Sequence, residues 1–233
     1  ELLFDVNQLA EGSDAYIFAG YSVSPNNQLA AYFSNTTGSY AEFDLHLRDL
    51  TTGTDRPFTL HGISSLAWAE DSETIYYSLI DETLRSTRIF AQRLSEAEGT
   101  LIYEEQDVRF SCSVSETKTR EFIFISTSSS TTSEEYYLSS SGEDREPKLF
   151  LPRKQDVRYS ILSHREKFFV YYKDKEHLNG MVYVSPKDQV GDPTQWQVFV
   201  PHREDVRLDS IGVYREHVAL EERREGLTEI RIL

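Results

Sequence analysis

Asp107-Val108-Arg109, Asp156-Val157-Arg158 and Asp205-Val206-Arg207 repeat one tripeptide at intervals of 49 residues. A charged tripeptide used three times is either a ligand site built three times or a joint in a repeated architecture. The interval bears on the choice, because self-similarity at periods of roughly 20–50 residues marks solenoids, propellers and arrays.

Working outward from the tripeptide, five segments share a pattern: YSVSPNNQLAAYFS (21–34), LAWAEDSETIYYS (66–78), SVSETKTREFIFIS (113–126), ILSHREKFFVYY (161–172) and SIGVYREHVALEE (210–222). Each is a short apolar stretch, a polar turn, then a strongly apolar stretch. Val23, Trp68, Val114, Leu162 and Ile211 mark where the turns begin, at spacings of 45, 46, 48 and 49 residues. Between these marks the chain reads as short strands. Phe43, Leu45 and Leu47 alternate with Asp44, His46 and Arg48, a period of two that puts the apolar set on one sheet face. Four such strands per unit is the pattern of a propeller blade. The sequence therefore predicts an all-β fold, a partial β-propeller of four antiparallel strands per blade. The blades are expected at about 16–60, 61–106, 107–155 and 156–204, with an incomplete one at 205–233. No helical period persists beyond a turn or two, and LSEAEG (94–99) and STSSSTTS (126–133) read as polar hairpin loops.

Composition narrows the function classes. A formal net charge of −15 argues against a nucleic-acid surface, which needs Lys and Arg for its phosphates, and permits attraction of basic peptides. No apolar run is long enough for a transmembrane helix. The acidic opening ELLFDVNQLAEG has no basic n-region of a signal peptide. The single Cys112 excludes an internal disulfide and reads as a buried thiol, which fits a reducing, cytoplasmic setting.

The motifs of catalysis are missing. There is no Gly-x-Ser-x-Gly elbow and no phosphate-binding glycine loop. The histidines at 46, 61, 164, 177, 202 and 217 show no metal-ligand spacing. No catalytic residue, cofactor or metal ligand is assigned. Neighbouring carboxylates at Glu104-Glu105, Glu134-Glu135 and Glu221-Glu222 would point to opposite faces of a strand and read as solvated edges.

Several stretches resemble one family. ELLFDVNQLAEG, SVSPNNQLAAY and above all WQVFVPHREDVRLDSIGVYREHVALEERREGLTEIRIL are similar to the propeller portion of the prolyl oligopeptidase family of serine peptidases, in its oligopeptidase B (protease II) branch. PHREDV and the ER-x-x-GL pattern carry the resemblance to that branch. The resemblance implies a seven-bladed propeller, of which about four and a half blades are expected here, on an α/β-hydrolase domain C-terminal to it and absent from this chain. It implies hydrolysis of peptides after Arg or Lys by a Ser-His-Asp site on that domain, with the propeller gating access. Its partners would be basic peptides, the hydrolase domain and, through open blade edges, a second copy of the chain. Two other readings stay open: a stand-alone, non-enzymatic binding propeller, and a post-proline oligopeptidase of the same family.

The tripeptide then reads as the crossing from the rim of one blade to the inner strand of the next. Asp107, Asp156 and Asp205 suit a corner, because Asp accepts from nearby backbone N–H groups. The valines would begin the inner strands, and Arg109, Arg158 and Arg207 could pair with a carboxylate of the adjoining blade. The same place in the second unit reads His61-Gly62-Ile63, without a charge pair.

Overall fold

A computed structural model of the chain describes residues 2–233. Apart from one turn of helix, α1 (Val6–Leu9), and two 3-10 turns at Lys187–Gln189 and Pro193–Gln195, the regular structure among these residues is strand. The helix starts where the Asp5 carboxylate accepts from the backbone N–H groups of Asn7 and Gln8, an N-cap. The chain divides into two compact units, one running to Glu116 and including Ser139–Glu146, the other Thr117–Leu138 with Pro147–Leu233.

In the first unit β1 (Ile17–Val23), β2 (Leu29–Asn35), β3 (Phe43–Asp49), β4 (Thr54–Trp68), β5 (Thr74–Ile80), β6 (Ser86–Arg93) and β7 (Thr100–Glu104) form one antiparallel sheet in chain order. The 15-residue β4 serves two sets of four strands. It pairs with β3 between Thr54 and Ile63, then with β5 between Ile63 and Trp68. Between them Gly62 takes φ +68°, and the register slips between Ile63 and Ser65. A side chain at that φ would be strained, so glycine lets the strand turn without ending. Leu29, Leu45, Leu47, Ile63, Trp68, Ile75 and Tyr77 form the buried core here, as the period-two pattern requires.

The polar turns are built alike. In Ser24–Leu29 and Ala69–Thr74, Asn27 and Ser72 take φ of 58° and 60°. Asn26 Oδ1 accepts from Gln28 N, and Asp71 Oδ1 accepts from Glu73 N and Thr74 N. In Thr117–Phe122, Arg120 takes φ 57° and Thr117 Oγ1 accepts from Glu121 N and Phe122 N. A short polar side chain that satisfies the turn's own N–H groups is why these residue types recur.

The first unit also holds β8 (Ser111–Glu116), and β9 (Phe122–Ser128), β10 (Ser133–Ser139) and β11 (Lys148–Leu151) pair in chain order. The second unit continues with β12 (Arg158–His164), β13 (Lys167–Lys173), β14 (Met181–Pro186) and β15 (Gln197–Val200), again in order, and then a three-stranded sheet of β16 (Arg207–Val213), β17 (Val218–Arg224) and β18 (Leu227–Ile232). The apolar run of β13 is continuous because both its faces are covered. Phe168 and Val170 join a cluster with Phe124, Phe150 and Tyr159, while Phe169 joins Val182, Leu208 and Leu220. Truncating Phe168 to Ala would cost about 3–5 kcal/mol.

Two sequence expectations need correction. The run 126–133 does hold a hairpin turn, at residues 129–132, but it also supplies the end of β9 and the start of β10, and Thr127, Thr132 and Ser133 are buried. Its hydroxyls are consumed inside the unit, as when Ser133 Oγ donates to Tyr159 O and accepts from Tyr159 N, both at 2.7 Å. Nor are Glu134, Glu135 and Glu222 solvated edges, since all three are buried.

Candidate functional site

The three tripeptides do not occupy one structural position. Val157 and Val206 are 4% and 2% exposed and each immediately precedes an inner strand, β12 or β16. Val108 is 73% exposed and sits in a turn, and the buried residue ahead of β8 is Phe110, at 3%. Backbone bonds agree: Phe110 N donates to Asp107 O and Val157 N to Lys154 O. Phe110 is thus the counterpart of Val157, and the first copy of the tripeptide is displaced by two residues.

The arginines also differ from the expectation of a clamp onto the adjoining blade. Arg109 turns back on its own corner, with Nη2 at 2.6 Å and Nε at 3.0 Å from the Asp107 carboxylate. Arg207 Nε lies 2.8 Å from Asp209 on the same strand. Arg158 has no carboxylate partner among the described residues, and Asp156 pairs instead with Lys175 at 2.9 Å. The two arginine pairs are local because a side chain at the start of a strand reaches its own turn, or the residue two along on the same face, more easily than another sheet. The structure does bring Arg158 and Arg207 near one group: burial pushes the Tyr171 hydroxyl up in pKa, and both arginines oppose that shift.

Other residues hold the crossings. At the second, Asp156 N donates to Thr132 Oγ1 at 3.0 Å, and Arg153 binds the buried Glu134 through its backbone N–H, Nε and Nη2. At the third, Asn179 Nδ2 donates to the carbonyls of Arg203 and Glu204, and Asn179 O accepts from Leu208 N. The adjacent Gly180 takes φ +80°, and a Cβ there would come within 2.8 Å of the Tyr171 hydroxyl. Arg203 and Arg231 both reach Glu222, the latter at 2.7 Å. The Asn-Gly pair is a turn signal legible in sequence. The long-range partners of Glu134 and Glu222, each 19 residues from its arginine, have no local signature.

Beside the second crossing lies a cavity of about 570 Å³ walled by Pro152, Arg153, Tyr172, Tyr183, Pro193 and Trp196. Its rings pack on one another, Tyr183 at 5.6 Å from Trp196 and 5.7 Å from Tyr172. Among the described residues no group of three or more His, Cys, Asp or Glu could hold a metal ion, and no helix is long and apolar enough to cross a membrane.

Comparison with known proteins places this geometry. Residues 1–233 match the family model described as prolyl oligopeptidase, N-terminal beta-propeller domain. The chain is 28% identical to dipeptidyl aminopeptidase BI of Pseudoxanthomonas mexicana and 26% identical to Protease 2 of Moraxella lacunata, covering 100% of this chain and 32% and 34% of those proteins. It spans about a third of the length of these relatives. Its fold superimposes on oligopeptidase B from Leishmania major with a TM-score of 0.92 at 23% identity, over 100% of this chain and 33% of that one. Four-stranded antiparallel sheets in sequence, a match over the whole chain and this superposition agree: the chain belongs to the prolyl oligopeptidase family, as its N-terminal β-propeller domain.

Proposed function

We propose that this propeller serves a serine peptidase that cleaves peptides after Arg or Lys, admitting peptides and turning folded proteins away from a Ser-His-Asp site on a hydrolase domain outside the chain. The match of residues 1–233 to the family's propeller domain carries this reading. Support for the basic specificity comes from the resemblance carried by PHREDV and ER-x-x-GL and from the net charge of −15, whose field would raise the local concentration of cationic peptides. In such an enzyme the acyl transfer belongs to the serine, with histidine as base and aspartate as its orienter. The propeller's share is access. One cysteine and no disulfide support a cytoplasmic setting. Asp107, Arg109, Asp156, Arg158, Asp205 and Arg207 are assigned a structural role at the corners, supported for Asp107, Arg109 and Arg207 by ion pairs within the same corner or strand.

A second reading has an observation of its own, the 28% identity to a dipeptidyl aminopeptidase. Such an activity would need a free peptide amine. The full-length protein carrying this chain is to be assayed on an N-blocked Arg-amide, an N-blocked Pro-amide and an unblocked dipeptidyl-amide, with a fluorophosphonate probe for the nucleophile. Cleavage of the blocked Arg substrate supports the main reading. Cleavage confined to the unblocked substrate selects the second, and cleavage confined to the Pro-amide or absence of fluorophosphonate labelling sinks the proposal.

The edge strand β18 exposes Leu227, Ile230 and Ile232. An uncovered apolar edge pairs readily with another, so the 233-residue chain by itself is expected to self-associate. A monodisperse monomer by light scattering at high concentration would contradict this.

A further inference from the structure

In the second unit, three hairpin turns border a cavity of about 540 Å³: those after β12 and β16, and the Thr117–Phe122 turn. Its walls are Lys118 and Thr119 from one turn, Ser163, His164 and Arg165 from the second, and Val213, Tyr214 and Arg215 from the third. No carboxylate lines it, although Asp and Glu outnumber Lys and Arg by 39 to 24 in the chain. Every polar wall group can donate a hydrogen bond.

The walls are built rather than incidental. The Tyr214 ring stacks on His217 at 4.9 Å and 17°, and Lys118 Nζ sits 4.1 Å from its centroid. Gly212 makes room for that ring, since a Cβ there would lie 2.9 Å from Tyr214 Cε2. Arg165 Nη2 donates to Arg215 O at 3.1 Å, which ties two of the turns together. The charges do not cancel. Arg165 and Arg215 share one carboxylate, Glu216, at 3.2 and 3.4 Å. Glu121, which accepts from Ser163 Oγ, is paired with Lys187 at 2.7 Å. Lys118 has no carboxylate partner among the described residues. The local excess is positive on a strongly negative chain.

We propose that this cavity binds a small ligand bearing two or more oxyanion groups. Lys118 would hold one group and the Arg165–Arg215 pair another, with the Thr119 and Ser163 hydroxyls between them. The volume exceeds that of one oxyanion, and the cationic groups stand on different turns, which favours a ligand with separated charges. This reading does not depend on the peptidase assignment.

The test is titration of citrate into the full-length protein carrying this chain, followed by calorimetry at low and high salt. Saturable binding that weakens with salt is expected. Lys118→Gln with Arg215→Gln should weaken it about ten-fold or more, as the loss of charge-assisted bonds implies. Lys118→Arg, which keeps the charge, should retain it. Both side chains are exposed, so the variants should fold, and equal melting temperatures would verify that. Absence of saturable binding, or affinity unchanged in the double variant, would overturn the proposal.

Discussion

Arg153 closes on Glu134 through three bonds: its backbone N–H donates to Oε1 at 2.7 Å, and its Nε and Nη2 donate to Oε2 at 3.0 and 2.9 Å. The carboxylate is buried and the guanidinium is partly open to water. Removing one partner from such a pair leaves the other uncompensated. Glu134→Ala should therefore destabilise the domain by about 2–4 kcal/mol, read from the urea midpoint. A shift under about 0.5 kcal/mol, the range of an ordinary surface change, would show that the pair does not fasten the crossing.

Glu135, the next residue, behaves differently. Burial pushes its carboxyl up to about 8, with the Ser126 hydroxyl bonding it at 2.6 Å. The fold prefers the protonated form, so its contribution is full below about pH 4.5, declines as pH rises and is gone above about pH 8. The loss over that window is on the order of 5 kcal/mol. Glu135→Gln should flatten this part of the stability–pH curve, measured by denaturant melts from pH 4 to pH 9. An unchanged slope would assign the dependence elsewhere.

The displaced tripeptide makes a three-way comparison. Val157→Thr and Val206→Thr each place a hydroxyl in a buried site and should cost about 1–2 kcal/mol. Val108→Thr alters an exposed turn and should stay within about 0.5 kcal/mol. Equal costs at all three, by chemical denaturation, would restore the equivalence that the letters suggest.

Gly62 lets β4 run through two sets of strands. An alanine there would adopt φ +68° and press within 3.2 Å of Ile80 Cγ1. Gly62→Ala should cost about 1–3 kcal/mol by thermal or urea melts. A neutral or stabilising result would show that the strand can cross without a left-handed residue.

Burial pushes the Cys112 thiol up to about 12. A protonated, enclosed thiol is a poor nucleophile. Iodoacetamide should leave the native protein unlabelled at pH 8 and modify it stoichiometrically in denaturant. Rapid native labelling, followed by mass spectrometry, would mean that β8 opens readily.

The blade-like repeat was legible because it rests on short-range physics. Alternation at Phe43, Leu45 and Leu47, and the self-bonding turns around Asn27, Ser72 and Arg120, are properties of a few consecutive residues. The family likeness was legible for a similar reason, in runs such as PHREDV. The corner arginines were misread because nothing in Asp-Val-Arg says whether the guanidinium reaches forward, back or across. The Ser/Thr run 126–133 showed its hairpin turn but not its strand ends, because its residue types suit a polar loop as well as a buried strand that spends its hydroxyls on Tyr159 and Glu135.

The sequence by itself determined the strands, their period and the family, since each depends on neighbours along the chain. Only the tertiary structure decided which tripeptides are equivalent, which carboxylates are buried and which basic turns meet around one cavity. Those depend on register between strands and on side chains 19 to 51 residues apart, as with Arg153 and Glu134 or Arg165 and Glu216. A two-residue slip in a turn leaves the letters of a repeat intact, yet moves a valine from the core into water.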